Sequence, residues 1–204
     1  MIFEIKNLQY SISGKVILKE MNLKLDNSNH LLIQGPSGSG KTTLLNLMSG
    51  LLKPDSGDIL FKNKNLSNLE ENEVDLIRSE NFGFIFQKLH LIGHLNIKQN
   101  INLVRKKKSQ NADNILESLG LLNKDKQLAK YLSFGEAQRV AIARGIANNP
   151  KVIFADEPTS SLDDSNTRNV MNLIFNQAKR MGSTLIVCSH DNRINKYFKN
   201  FIKL

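Results

Sequence analysis

A chain of 204 residues with 28 Lys and Arg against 19 Asp and Glu, a net charge of +9, is sized for one domain with room for an embedded subdomain. A chain this long buries about 70% of its unfolded surface without staples, and the single cysteine, Cys188, excludes an internal disulfide and a cysteine-cage zinc site. No run approaches the roughly 18 apolar residues of a membrane span, and the opening MIFEIKNLQY is strand-like and unlike a basic-then-apolar leader, so the expected location is the cytoplasm, with any membrane reached through a partner.

In chain order, the first elements are short strands: Ile2 to Ile5, Lys15 to Leu18, Met21 to Leu25 and the buried run Leu31-Leu32-Ile33. A glycine-rich turn follows, then apolar residues at helical spacing from Lys41 to Leu51. The turn, Gly35-Pro36-Ser37-Gly38-Ser39-Gly40-Lys41-Thr42, matches G-x-x-x-x-G-K-[ST] between a strand and a helix, the context that this phosphate loop requires. Glycines let backbone N–H groups curl around a phosphate, and the helix N-terminus adds partial positive charge. Lys41 brings a full charge to the terminal phosphates, and the Thr42 hydroxyl suits Mg²⁺; Thr43 stands beside it in the same first turn. The cofactors expected from the loop are therefore a nucleoside triphosphate and Mg²⁺.

Ser56-Gly57 turns the chain into a strand from Asp58 to Phe61, Ser67 with Glu70 forms a capping box for a helix through Arg78, and Phe82 to Phe86 is a further strand. The pattern then becomes helical: Ile97 to Lys107, Ala112 to Leu119 and Phe134 to Asn148. The cluster Arg105 to Lys108 reads as a solvated helix end whose cations complement the helix dipole. Strands return at Val152 to Ala155 and Thr184 to Cys188, with a helix from Asn166 to Arg180 between them. Alternating strands and helices at both ends, with helices inserted between, predict an α/β fold. Residues 1–87 and 150–204 would form the nucleotide-binding core, and 88–149 a helical subdomain. The strand ending at Asp156-Glu157 delivers two adjacent carboxylates at its carboxyl end, where open α/β sheets bind ligands. Asp156 suits Mg²⁺, and Glu157 is placed to orient and deprotonate an attacking water. Away from a phosphate loop, the same pair before Pro158 would read as a capped turn.

Phosphate loops occur in kinases, GTPases, helicases and transporters. The stretch Leu132-Ser133-Phe134-Gly135-Glu136-Ala137-Gln138-Arg139, followed by Val140-Ala141-Ile142-Ala143-Arg144, resembles the signature motif of ABC (ATP-binding cassette) ATPases, and the resemblance covers essentially the whole chain. It implies a P-loop NTPase core of RecA-like type, mainly parallel, with an N-terminal antiparallel β subdomain and an inserted helical signature subdomain. It identifies Gln87 with the family's Q-loop glutamine, which senses Mg²⁺, and Ser161-Leu162-Asp163 with its D-loop. His190 is similar to its switch histidine, a γ-phosphate contact, and Tyr10 to the aromatic that stacks on adenine. Ser133 and Glu136 form a capping box of their own. Ser133, Gly135 and Glu136 would face the γ-phosphate on an opposing subunit, so that a homodimer closes head-to-tail on two ATP molecules. Integral-membrane permease subunits are the implied partners, and no nucleic acid is expected, since DNA-organising members of the family need long coiled-coil or zinc insertions. The chain departs from the family where glycine usually precedes Gly135 and this sequence has Phe134. The segment Asn81 to Ile92, continuing through Asn100-Ile101, is similar to the branch containing lipoprotein-releasing, macrolide-exporting and cell-division ATPases. Lipoprotein release is the first expectation, and another small bacterial system for peptides or amino acids the alternative.

Overall fold

The computed structural model describes residues 1–105, 112–160 and 162–204. Among these residues the strands form two sheets. In the first, β1 (Phe3–Ile12) lies between β2 (Lys15–Leu25) and β4 (Ser56–Phe61), antiparallel to both, and β5 (Lys64–Asn65) closes the edge beyond β4. The second is parallel, in the order β6 (Phe82–Ile85), β7 (Val152–Asp156), β8 (Thr184–Ser189), β3 (Leu31–Gln34), β9 (Asn200–Lys203). Strand β8 is buried at all six positions and β3 at its first three, as expected when both faces of a parallel sheet are covered.

Among the described residues six α-helices complete the framework: α1 (Lys41–Met48), α2 (Glu71–Asn81), α3 (Ile97–Asn102), α4 (Ala112–Ser118), α5 (Phe134–Ile146) and α6 (Asp164–Met181). The two sheets share one core, in which Phe3 packs on Phe61 at 5.3 Å, Phe61 on Phe82 at 4.8 Å and Phe82 on Phe154 at 5.3 Å between ring centroids. The helices after β6 have a core of their own, built from Ile97, Ile101, Leu116, Leu119 and Leu121 against Val140, Ala143 and Ala147 of the α5 segment. Helix α5 also packs on β6 so closely that a Cβ on Gly83 would stand 2.0 Å from the Gly145 carbonyl oxygen. The signature helix thereby joins the helical core to the parallel sheet, against which its Ile142 and Ile146 pack with Ile85, Ile153 and Leu185. Among the described residues no helix is long and apolar enough to cross a membrane.

The architecture is the expected α/β one, with local differences. Two short strands expected over Lys15 to Leu25 are one, carried through Glu20 in the left-handed region at φ +50°. The capping box of α2 is Glu70 with Glu73, not Ser67 with Glu70; Ser67 sits in a short 3₁₀ turn, where its hydroxyl accepts a hydrogen bond from Ile59 N–H. Helix α1 stops at Met48 because Gly50 adopts φ +69° and Arg78 binds the Ser49 and Gly50 carbonyls. Helix α3 ends at Asn102, and of the basic cluster only Arg105 lies within the described residues.

Candidate nucleotide site

The loop between β3 and α1 depends on glycine at defined points. Gly40, the residue before α1, has φ +98°, and a Cβ there would meet Ile17 Cγ2 at 2.8 Å. Gly35 has no room for a Cβ either, since Ser39 Oγ would stand 2.5 Å away and the Leu204 carbonyl 2.7 Å. No side chain caps α1, so the first-turn N–H groups of Lys41, Thr42 and Thr43 have no intrahelical acceptor. Ser39 Oγ is buried without a hydrogen-bond partner among the described residues. A loop with unsatisfied donors at a helix N-terminus fits an oxyanion such as phosphate.

Lys41 is buried, at 6% exposure, and its Nζ donates to the Gly35 and Pro36 carbonyls at 2.9 Å each. The same ammonium lies 3.4 Å from Glu157 Oε1. Glu157 follows β7 and is bent into the left-handed region at φ +46°, a conformation that costs a non-glycine residue on the order of 1 kcal/mol and tends to mark functional sites. The Glu157 N–H donates to the Cys188 carbonyl at 2.9 Å, which fixes the bend to β8. Its carboxylate accepts from the Ser189 hydroxyl at 3.1 Å and from His190 N–H at 3.4 Å, and Oε1 lies 2.9 Å from His190 Nδ1. With Nδ1 turned to the carboxylate, Nε2 is the remaining ring nitrogen, a donor to a second acceptor when the ring carries protons on both nitrogens.

One residue earlier, the Asp156 carboxylate oxygens accept from Thr42 Oγ1 at 3.0 and 3.1 Å. Burial pushes the Asp156 carboxyl above the usual carboxylate range; the Thr42 hydrogen bond opposes this, Glu157 adds to it and Lys41 counters it. A hydroxyl and a half-buried carboxylate are hard oxygen donors of the kind Mg²⁺ takes, and a dication would offset the cost of keeping Asp156 charged.

At the other end of the helical segment, Ser133 caps α5. Its Oγ accepts from Glu136 N–H at 3.3 Å, while the Glu136 carboxylate accepts from Ser133 N–H and Oγ at 2.9 Å each. Ser133, Phe134 and Gly135 are exposed, and a Cβ on Gly135 would meet only Arg139 Nη1, at 3.8 Å.

The ABC transporter family model matches residues 18–160. The chain belongs to the ABC transporter family. It is 38% identical to the uncharacterized ABC transporter ATP-binding protein MJ1508 of Methanocaldococcus jannaschii, over all of this chain and 95% of that protein. It is 37% identical to HrtA of Staphylococcus aureus, a protein provisionally named for hemin import, over 98% of this chain and 93% of HrtA. Among solved structures, the dimeric cassette MJ0796 aligns with a TM-score of 0.86 at 32% identity, covering 100% of this chain and 94% of its own. CbiO1 of Clostridium perfringens, part of the transporter complex cbiONQ, aligns with a TM-score of 0.89 at 31% identity over 99% of this chain and 84% of its own. A further dimeric MJ0796 structure holds ADP and Pi after hydrolysis. This chain is accordingly an ABC ATPase, an ATP-binding subunit with the P-loop α/β fold that its motifs imply.

Within this ABC ATPase, the fold brings Lys41, Thr42, Asp156, Glu157 and His190 into one cluster of contacts. Other expected site residues stand apart from it. Gln87 is exposed beyond β6 and makes no hydrogen bond to Thr42, Asp156 or Glu157 among the described residues. Tyr10 is half-buried in β1 opposite Leu18, next to Ile17, whose methyl lies over Gly40. Asp163 caps α6, accepting from Asn166 N–H and Ser165 Oγ at 2.8 Å, and these bonds hold its carboxyl below the usual range. Ser161 lies outside the described residues.

Several supporting residues escaped the sequence reading. Ser189 holds Glu157, Thr159 Oγ1 donates to Asp191 at 3.1 Å, and Arg193 ties Asp191 to Asp164 and the Leu162 carbonyl. Gln138 of α5 donates to the Pro158 carbonyl at 2.9 Å, linking the signature helix to the segment after Glu157. The Ser-His-Asp run at the end of β8 was the available signal for Ser189 and Asp191; the others meet only through folding.

Proposed function

We propose that this subunit powers a membrane permease by closing head-to-tail with a second copy around two ATP molecules, hydrolysis then releasing the pair. The observation that carries the reading is the convergence of Lys41, Glu157 and His190 within 3.4 Å contacts beside the phosphate loop. Lys41, Thr43 and the N–H groups of Gly35 and of Ser37 through Gly40 bind the phosphates, Pro36 shaping the loop without an N–H of its own, while Tyr10 packs on the adenine. Glu157 takes the proton of the attacking water, its carboxylate aimed by Ser189 and His190. His190 meets the γ-phosphate through Nε2. Thr42, Asp156 and Gln87 would hold Mg²⁺, which supplies charge neutralisation at the terminal phosphates. Gln87, on the segment joining β6 to the helical subdomain of residues 88–149, would report that metal to the permease. Ser133, Gly135, Glu136 and Asp163 serve the nucleotide of the opposing copy, and the space over Gly135 supports a close approach there.

The finer reading is a lipoprotein-release or related exporter ATPase at the cytoplasmic face of the membrane, supported by the Asn81 to Ile92 segment. A hemin-handling system is the second reading, favoured by the HrtA relatives at 37% identity. The mechanism is tested by Glu157→Gln, expected to retain ATP binding and to lose turnover by about 10²–10⁴-fold; retained turnover contradicts the assignment. Purification from detergent-solubilised membranes, with identification of the bound permease, decides between the cargo readings.

A further inference from the structure

Glu136 presents a problem that the signature reading leaves open. Its carboxylate lies within hydrogen-bond distance of the Ser133 hydroxyl and N–H, the groups that would receive a phosphate from the opposing copy. A bare carboxylate there would repel that phosphate and would also hold the Ser133 proton.

The structure supplies a counter-charge from outside the motif. Lys124 Nζ forms an ion pair with Glu136 Oε1, leaving Oε2 to the two Ser133 groups. Lys124 stands on the short 3₁₀ turn Leu122–Lys124, and that turn is anchored. Leu121 before it is fully buried in the helical core with Val140 and Ala143. After it, the Asp125 and Gln127 carbonyls accept from Lys98 N–H and Ile97 N–H of α3 at 3.1 Å each. The Lys124 ammonium is therefore carried on a fixed arm, although its side chain is half-exposed. Arg139, the cation nearest Gly135, forms no ion pair with Glu136 among the described residues. The pair, together with the Ser133 bonds, holds the Glu136 carboxyl at about 2, so it stays ionised and in need of that partner throughout the working pH range.

We propose that Lys124 is a positioning residue for the composite ATP site: by neutralising Glu136 it removes the repulsion that a γ-phosphate would meet at Ser133 and lets the Ser133 hydroxyl turn its proton toward that phosphate. Lys124 touches no nucleotide in this account. It acts through Glu136, and only when two copies meet, so the inference rests on the head-to-tail reading.

The test is a double-substitution cycle on the full chain, with ATP turnover measured against ATP and protein concentration. Lys124→Gln raises the concentration needed for half-maximal turnover about two- to fivefold, the scale of a partly exposed charge pair. Turnover at saturation and ATP binding by the single chain stay unchanged, and Lys124→Arg restores the wild-type curve. In a Glu136→Gln background, where glutamine still serves the capping box, adding Lys124→Gln causes no further loss. An equal loss in that background, or no loss in the wild-type background, overturns the proposal. ATP-induced dimerisation of Glu157→Gln separates the two levels. If that dimer never forms, the head-to-tail reading fails; if it forms and is indifferent to Lys124→Gln, only the role of Lys124 fails.

Discussion

The phosphate loop and the signature turn both place helix N-termini where an anion can bind, yet they are finished in opposite ways. At the phosphate loop, Lys41 and Glu157 are nearly inaccessible and contact one another, His190 and the loop carbonyls. The signature turn is open: Ser133 and Gly135 are exposed and Phe134 is 59% exposed. The first region ties its charged side chains to one another and leaves Ser39 Oγ without a partner among the described residues and α1 without a side-chain cap; the second ties Ser133 and Glu136 together within one helical turn and reaches Lys124. The contrast supports the proposed reading, in which the chain carries two halves of one kind of site, one facing inward and one open to a second molecule.

Substitutions can break either half. The largest effect is expected for Lys41→Ala, which removes the buried cation while the loop glycines stay in place. Mg-ATP binding and turnover should fall by at least about 10²-fold, the scale for losing one charged or hydrogen-bonding group at a phosphoryl centre. Wild-type turnover in this variant would reject the loop as the binding site. Ser133→Arg should be as damaging to turnover while leaving ATP binding by the single chain intact, because the block sits on the outward half. Equilibrium binding of a fluorescent ATP analogue distinguishes the two losses.

The inward half was largely legible before the fold was known, because its chemistry is contiguous. Gly35 to Thr42 is one run, and Asp156-Glu157 another, ending a buried strand. What could not be read were contacts between distant segments: Ser189 on Glu157, Gln138 on Pro158, and Arg193 across Asp191 and Asp164. No spacing rule encodes those, since three-dimensional approach creates them. The Ser67 and Glu70 pair misled for a related reason. Its pattern satisfies the capping rule, but tertiary hydrogen bonding to Ile59 takes the Ser67 hydroxyl, and the box shifts to Glu70 and Glu73.

A middle-sized effect sharpens the electrostatics of the inward half. Asp156 has a raised carboxyl pKa, chiefly from burial. A carboxyl raised in the folded state favours folding most below its unfolded pKa, and that contribution is lost as pH rises through the folded value. At neutral pH its charge is therefore a cost. Asp156→Asn should lower Mg²⁺-dependent turnover and raise the melting temperature of the nucleotide-free protein, by about 2–4 °C for each kcal/mol relieved. The gain should shrink toward acid pH, where Asp156 is protonated already. Unchanged or lower melting at pH 7 would reject the burial argument.

The smallest effect belongs to the outward half. Phe134 opens α5 with its ring in solvent, so it contributes little to the fold. Phe134→Gly should raise ATP-driven dimerisation or turnover by less than about tenfold, removing bulk from the approaching surface at a helix-propensity cost of about 0.5 kcal/mol. A large loss of turnover would mean that the ring packs productively on the opposing nucleotide or subunit.

The central claim, that one site is completed by two copies, is tested most directly by size-exclusion chromatography of Glu157→Gln with Mg-ATP. Blocking hydrolysis should trap a dimer, and adding Ser133→Arg to the same chain should return it to a monomer that still binds ATP. A Glu157→Gln chain that binds ATP and stays monomeric, or a dimer untouched by Ser133→Arg, would contradict the account.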